Sequence, residues 1–327
     1  MALDVICVGE TLVDFLPAEP GHRMRDVESW VRCSGGSPAN VAIGVARLGG
    51  TSAMLGVVGH DEFGAYLRES LGREGVDVSH LRQTEEGKTG LVFISLGEKG
   101  ERSFSFHRTR AAEFFLADRD VDEPFLRSAK ALHFGSNSLL FREAQRAAIR
   151  MAEIGKAAGL LVCVDPNLRL HVWPDPNELK EVIKRLVPGA SMVKLAEDEI
   201  EFVTGSTDPE KALELLRAQG VVLPIVTLGE RGAVLLVGDR VVSVSAPSAR
   251  VIDTTGAGDG FVAAMLFGVT RAFGTPAALS AAHVGEIRQL AAFACAAGAR
   301  VCERLGAVSG LPRIEELSAV VPAYLRG

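Results

Sequence analysis

Residues 253–267 read DTTGAGDGFVAAMLF, a glycine-rich turn that runs directly into an apolar helix. Backbone N–H groups at a helix N-terminus carry partial positive charge, so this stretch suits an anion such as a phosphoryl group. Gly256 and Gly258 let the backbone approach that anion without a Cβ in the way. A carboxylate beside a phosphate repels it, so Asp259 is best explained as a base that takes the proton of the attacking hydroxyl. The alternative is an ordinary aspartate-capped helix after a glycine turn.

A second glycine-rich segment, GGSPANVAIGVARLGG at 35–50, again runs from a turn into a helix of small residues. The two segments together resemble the two signature sequences of the PfkB (ribokinase-like) carbohydrate kinases, in the family's order. VGETLVDFLP at 8–17 and DPNLR at 165–169 are similar to segments of bacterial and plant fructokinases, and LAEDE at 195–199 and TLGERG at 227–232 match further family elements. The resemblance runs from about residue 5 to 312. It implies a sugar kinase that uses ATP and Mg²⁺.

Composition restricts the class of protein. Of the 327 residues, 47% are hydrophobic and 23% charged, which is typical of a soluble globular protein. The net charge of −6 argues against a nucleic-acid partner. Five scattered cysteines without a C-x-x-C pair fit a reducing compartment. The start of the chain lacks a signal-peptide pattern, and the apolar helices are too short to cross a bilayer. We therefore expect a cytoplasmic protein with no membrane association.

Short β-branched runs alternate with helical patterns along most of the chain, which predicts an α/β fold. The expected core is a mostly parallel sheet flanked by helices on both faces, ribokinase-like by the resemblance. Regions 11–34 and 88–110 break the alternation and read as antiparallel strands, with a hairpin turn at 98–101. The resemblance implies that they form a small β-sheet lid over the sugar site; an edge hairpin of the main sheet is the alternative. We expect a single catalytic domain over 1–327, since no linker or repeat is evident.

The resemblance also assigns the sugar site. Short polar groups and glycine backbone suit a polyol, and the family's sugar contacts fall on Asp14, Gly35, Gly36, Asn40, Asn167 and Asp259. Arg108 matches the arginine of the fructokinase lid, but the family's Arg-Asn-Pro is Arg-Thr-Arg here, so Arg110 is the other candidate. Asp259 is expected to be the general base, with the backbone of Gly256, Ala257, Gly258 and Asp259 as anion hole. Arg169 would neutralise charge on the transferring phosphoryl group.

The nucleotide is expected along Thr227, Gly229 and Gly232, with Lys194, Gly256 and Gly258 at the phosphates. Small residues within 295–307 would leave room for adenine. Lys194 and Arg169 could instead pair with Glu197 or Asp198.

Two cation sites follow from the resemblance. Glu199 matches the glutamate of the family's Asn-x-x-Glu element, which organises Mg²⁺ through water, although Ala196 replaces the asparagine. A first-turn acid favoured by the helix dipole is the alternative for Glu199. Asp253 and Thr255 are the nearest matches to a monovalent cation site, for K⁺, and a loop without a cation is equally compatible.

The resemblance implies a fructokinase that phosphorylates the 6-hydroxyl of D-fructose, and a homodimer that forms through the lid. Within the family, a 2-keto-3-deoxygluconate kinase or another sugar or nucleoside kinase is the alternative, with Arg32, Arg108 and Arg110 as candidates to bind an acid. A non-catalytic sugar or nucleotide sensor is a further alternative. A P-loop kinase and a dinucleotide-dependent oxidoreductase are disfavoured, because the chain has neither a Walker A sequence nor a G-x-G-x-x-G after its first strand.

Overall fold

The computed structural model describes residues 2–19, 21–97 and 102–326. Its main sheet has nine strands: β1 Leu3–Val8, β4 Ser52–Gly59, β5 Leu81–Thr84, β8 Ala129–Phe134, β9 Leu161–Val164, β10 Met192–Ala196, β11 Leu223–Thr227, β12 Ala233–Val237 and β13 Arg240–Val244. Their order is β13-β12-β11-β10-β9-β8-β1-β4-β5. The pairs β11–β12 and β12–β13 are antiparallel and the others are parallel. The mostly parallel sheet is confirmed.

Helices cover both faces of this sheet. They are α1 Ser37–Arg47, α2 Glu62–Arg73, α3 Glu123–Leu126, α4 Arg142–Ala157, α5 Pro176–Leu186, α6 Ile200–Thr204, α7 Pro209–Ala218, α8 Ala257–Ala272, α9 Pro276–Ser280, α10 Val284–Val301 and α11 Ala307–Gly310. One core lies between the sheet and helices α1, α2, α8 and α10, and another lies under α4, α5 and α7. Alternate residues of β1 enter the two cores, which explains why the strand reads as a continuous apolar run.

The remaining four strands form a separate sheet: β2 Leu12–Pro17, β3 Trp30–Gly35, β6 Leu91–Leu96 and β7 Arg102–His107, in the order β3-β2-β6-β7. The alternative of an edge hairpin of the main sheet is therefore wrong. Within each region the strands are antiparallel as predicted, and the two regions are joined by a parallel pairing of β2 with β6. Both strands leave the carboxyl edge of the main sheet, after β1 and β5 respectively, and so run in the same direction. The hairpin turn predicted at 98–101 lies outside the described residues.

Two strands of the main sheet escaped prediction. The strand β5 contributes only LRQT, and β13 continues an antiparallel edge after a short turn, so neither shows a strong apolar run. After β10 the chain makes a 3₁₀ turn at Glu197–Glu199 before α6. No helix in the described part of the chain is long and apolar enough to span a membrane.

Candidate active site

A cavity of about 670 Å³ lies between the carboxyl edge of the main sheet and the small sheet. Its floor is formed by residues that follow the strand ends, and its roof includes Asp14, Ile94 and Phe106 of the small sheet. A second cavity of about 950 Å³ adjoins it, and the two share Thr227, Gly229, Thr254 and Gly258 in their walls. Open α/β sheets place their ligands at this edge.

Asp259 is held by two donors from the helix that follows the Gly35-Gly36 turn. Ser37 Oγ donates to Asp259 Oδ1 at 2.6 Å, and Asn40 Nδ2 donates to Oδ2 at 2.8 Å. The side chain of Asp259 lines the cavity although the residue is only 7% exposed. The other amide atom of Asn40, Oδ1, is buried and has no hydrogen-bond partner among the described residues. Asn40 therefore presents an acceptor that a ligand hydroxyl could use.

The glycine turn before α8 is closely packed. Gly256 has a φ of 81°, and a Cβ there would lie 2.4 Å from the Cβ of Ala307. A Cβ on Gly258 would lie 3.3 Å from Lys194 Nζ, so the lysine and the glycine turn are neighbours. The structure thus places the ammonium group of Lys194 next to the turn formed by Gly256, Ala257 and Gly258.

Lys194 is buried and its Nζ lies 3.2 Å from Asp165 Oδ2. Burial alone would lower the pKa of Lys194, but the carboxylates of Asp165 and Glu199 outweigh it and raise that pKa. The alternative pairing of Lys194 with Glu197 or Asp198 is wrong, since Lys194 pairs with Asp165. Glu197 is bonded to Arg231. Lys194 is consequently a fixed positive charge beside the turn.

Asp14 faces the cavity from β2. A Cβ on Gly35 would lie 2.1 Å from Asp14 Oδ2, and one on Gly36, whose φ is 98°, would lie 2.5 Å from the carbonyl oxygen of Glu10. Two glycines are needed here because backbone and carboxylate meet without room for side chains. Burial raises the pKa of Asp14 to about 7, against the opposing effect of Arg108.

Glu10, which sequence reasoning missed, follows β1 and lines the same cavity. Its Oε1 accepts the backbone N–H of Ser37 at 3.3 Å, and its Oε2 is buried with no hydrogen-bond partner among the described residues. Burial raises the pKa of Glu10 to about 7 although Arg108 lowers it. Its place at a strand's carboxyl end is the signal that could have identified it.

We expect Glu10 to make the ligand-free protein less stable as pH rises. Its folded pKa of about 7 exceeds the ordinary 4.5, so the folded state holds an extra proton between those values. The stabilisation is complete below the unfolded pKa and is lost as pH passes the folded pKa. Thermal unfolding followed across this interval should show Tm falling less steeply in Glu10→Gln than in the wild type. Parallel Tm curves for the two proteins would contradict the raised pKa.

Arg108, not Arg110, reaches the cavity. Its Nε donates to Glu113 Oε1 at 2.8 Å, and a terminal nitrogen donates to the carbonyl of Asn137 at 3.0 Å. Glu113 is 1% exposed and was not predicted as a site residue. Arg110 is exposed and lies over the ring of Phe115. The Arg108 guanidinium in the cavity wall is therefore already paired with the Glu113 carboxylate.

Asn167, Arg169 and Glu199 meet at another part of the wall. Asn167 has a φ of 45° and its carbonyl accepts from the Asn137 side chain at 3.2 Å. Arg169 is exposed and donates to the carbonyl of Leu168 at 2.9 Å. Both oxygens of the buried Glu199 accept backbone N–H groups, those of Leu168 and Ala196, at 2.5 and 2.7 Å. Glu199 thus ties two strand ends together while lining the cavity.

The second cavity is lined by four of the predicted nucleotide residues, Thr227, Gly229, Gly232 and Gly258, whereas Lys194 and Gly256 line the first cavity. Thr227, Gly229 and Gly232 line one side, and Cys295, Gly298 and Cys302 of the α10 region line the other. A Cβ on Gly232, whose φ is 97°, would lie 2.0 Å from the Val244 carbonyl oxygen. Of the small residues expected to admit adenine, Gly298 lines the cavity, whereas Ala297 is fully buried in the core. A flat, largely apolar group fits this space.

Asp253 organises the loop before α8. Its Oδ1 accepts from the backbone and side chain of Thr255 at 3.0 and 2.7 Å, and its Oδ2 accepts from the Gly306 amide at 2.9 Å. No group of three or more His, Cys, Asp or Glu side chains suited to a metal occurs in the described ranges.

Comparison with known proteins agrees with this geometry. The chain is 37% identical to fructokinase-2 of Solanum habrochaites over 314 residues, or 95% of this chain and 94% of the relative. A fructokinase with bound ATP from Xylella fastidiosa is 29% identical, with a TM-score of 0.87 over 97% of this chain and 98% of that one. A Vibrio cholerae O395 fructokinase in a fructose-, ADP- and calcium-bound form is 32% identical, with a TM-score of 0.83 and the same coverage.

The family predicted from the two glycine-rich segments is confirmed. The family model described as "pfkB family carbohydrate kinase" matches residues 2–314, which include the small sheet, both cavities and the turn before α8. The chain belongs to the pfkB family of carbohydrate kinases.

Proposed function

We propose that the protein is a fructokinase that transfers the γ-phosphoryl group of ATP to the 6-hydroxyl of D-fructose. The observation that carries the proposal is the Asp259 carboxylate, fixed at the N-terminus of α8 in the wall of the first cavity, next to Gly258, which lines both cavities. The similar fructokinases from plants and bacteria support fructose as the acceptor. Enzymatic product analysis by ³¹P NMR tests the site of transfer: fructose 6-phosphate supports it, and fructose 1-phosphate would refute it.

In this mechanism Asp259 takes the proton of the sugar hydroxyl as that oxygen attacks phosphorus. The backbone N–H groups of 256–259, with Lys194 behind Gly258, stabilise negative charge on the transferring group. Arg169, exposed at the rim, is placed to meet phosphate oxygens as the cavity fills. When bound with ATP, Mg²⁺ supplies further charge neutralisation, and Glu199 would hold it through water. A K⁺ ion would lie beside Asp253 and Thr255.

The sugar end of the cavity favours a neutral substrate over a keto acid. The Arg108 guanidinium is paired with Glu113, and Glu10 and Asp14 add acidic groups nearby. Arg110 is exposed outside the cavity wall, and Arg32 lies exposed over the ring of Tyr66, 4.2 Å from its centroid. None of the three arginines considered for an acid is thus an unpaired cation in the cavity. A substrate carboxylate would therefore find no unpaired cation among these arginines.

Glu113→Gln should relax this selectivity. With its partner neutral, Arg108 becomes an uncompensated cation in the wall, so the kcat/KM for 2-keto-3-deoxygluconate relative to fructose should rise by about tenfold or more. Steady-state kinetics with both sugars measure the ratio. Glu69→Gln removes the acid of an exposed pair with Arg73 and is the matched control. An unchanged ratio in Glu113→Gln would show that the buried pair does not set selectivity.

The remaining features of the enzyme follow from the same proposal. The chain forms one catalytic domain over 1–327, with the small sheet as its lid. The edge strands β3 and β7 of that sheet expose Val31 and Phe104, by 55% and 45%. Unpaired strand edges with apolar side chains are suited to association, which supports a homodimer through the lid. We place the enzyme in the cytoplasm, because its five cysteines are scattered along the chain without a C-x-x-C pair, as is usual in a reducing compartment.

A further inference from the structure

We propose that Ser37 is a positioning residue for Asp259, and that its hydroxyl is the group that adjusts when Asp259 changes protonation state. This rests on the proposed role of Asp259 as the base. Ser37 is 6% exposed, and the 2.6 Å bond from its Oγ to Asp259 Oδ1 joins residues 222 positions apart in sequence. Such a short bond to a carboxylate in a buried site is among the stronger hydrogen bonds.

The backbone of Ser37 is itself anchored. Its N–H donates to Glu10 Oε1 at 3.3 Å, and Gly36 before it takes up a φ of 98° against the carbonyl of Glu10. The first turn of α1 is therefore fixed to the end of β1. Ser37 and Asn40, one turn apart on α1, then fix both oxygens of the Asp259 carboxylate.

The two donors differ in what they can do after proton transfer. The Asn40 amide nitrogen can only donate, so a proton on Oδ2 would face another donor. The Ser37 hydroxyl can rotate and accept, so a proton on Oδ1 keeps a partner. In the transfer step, the sugar O–H bond breaks and its proton goes to Oδ1. The sugar oxygen bonds to the γ-phosphorus, and the bond from phosphorus to the bridging oxygen breaks, leaving its electron pair on ADP.

Four other titratable groups interact electrostatically with Asp259. They are Cys7 below it on β1, Asp14 on β2, Asp165 after β9 and Lys194 on β10. Replacing Ser37 by alanine removes none of these groups and keeps the N–H that bonds to Glu10. The substitution therefore isolates the contribution of a single hydroxyl to Asp259.

In Ser37→Ala the carboxylate of Asp259 loses a hydrogen-bond donor that stabilises its charged form. We expect the acidic limb of the kcat–pH profile to move up correspondingly, kcat to fall about tenfold and the sugar KM to change less than about twofold. Ser37→Thr, which keeps the hydroxyl, should restore the profile. Thr11→Val removes another buried hydroxyl bond, the one to the Gly35 carbonyl, and should leave the limb in place.

A second readout does not depend on turnover. ¹³C NMR of labelled aspartate carboxyl groups, with the Asp259 signal assigned by its loss in Asp259→Asn, follows the titration directly. An upward shift of the Asp259 midpoint in Ser37→Ala supports the inference even if the sugar is not fructose. An unmoved midpoint, or a fall in kcat that Thr11→Val reproduces, would overturn it. Absence of turnover with every sugar in the wild type would instead refute the proposed function.

Discussion

Asp259→Asn is expected to lower kcat by about 10³-fold or more while ATP still binds. The amide has nearly the shape of the carboxylate, and its oxygen can still accept from Ser37, so the fold should persist. It cannot take the proton of the attacking hydroxyl. Single-turnover assays with fructose measure the loss, and calorimetric titration with a non-hydrolysable ATP analogue measures retained nucleotide binding.

Asp175→Asn is the matched control for this substitution. Asp175 also lies at a helix N-terminus, where it accepts the Asn177 amide at 2.9 Å, but it is exposed and does not line either cavity. Asparagine caps helices about as well as aspartate, so turnover should be unaffected. If Asp259→Asn retained about a tenth of wild-type kcat, Asp259 would not be the general base.

Gly256→Ala should damage both stability and catalysis. Alanine would have to adopt a φ of 81° and would bring its Cβ within 2.4 Å of Ala307 Cβ and 2.9 Å of its Cα. Strain and overpacking should lower the free energy of unfolding by about 2–4 kcal/mol. Displacing the turn also misaligns the amides that precede α8, for which we expect kcat to fall about 100-fold. Chemical denaturation and steady-state kinetics measure the two effects.

Gly274 offers a comparison at the other end of α8. It has a φ of 69°, but a Cβ there would meet only the Thr270 carbonyl oxygen, at an ordinary 3.7 Å. Gly274→Ala should cost about 1–2 kcal/mol from backbone strain and leave kcat near the wild-type value. Equal kinetic effects from the two alanines would mean that the close approach at Gly256 does not position the phosphate-binding amides.

Local patterns were enough to predict most of the fold. Buried parallel strands are continuous apolar runs, so seven of the nine strands in the main sheet could be found in the sequence, and β5 and β13 could not. The parallel pairing of β2 with β6 was missed for another reason. This pairing depends on where the two hairpins leave the main sheet. The sequence of either hairpin alone does not contain that information.

The site was predictable where a motif fixes the backbone and unpredictable where distant side chains meet. The glycine turns before α1 and α8 have short-range signatures. The Ser37–Asp259 bond joins residues far apart in the chain, and the choice between Arg108 and Arg110 depends on the buried partner Glu113. Glu199 was assigned only through its resemblance to a family element. Its bonds to the Leu168 and Ala196 amides became visible when two strand ends were placed side by side.

The most direct test of the account is ADP release from Mg²⁺-ATP by the wild-type protein with fructose, ribose, 2-keto-3-deoxygluconate, adenosine or no sugar. The paired Arg108 predicts turnover with fructose well above that with 2-keto-3-deoxygluconate. The proposed function predicts fructose above ribose and adenosine, and little ADP release without sugar. Preference for 2-keto-3-deoxygluconate would contradict the substrate. ATP binding without turnover on any acceptor would contradict the assignment of Asp259 as a working base.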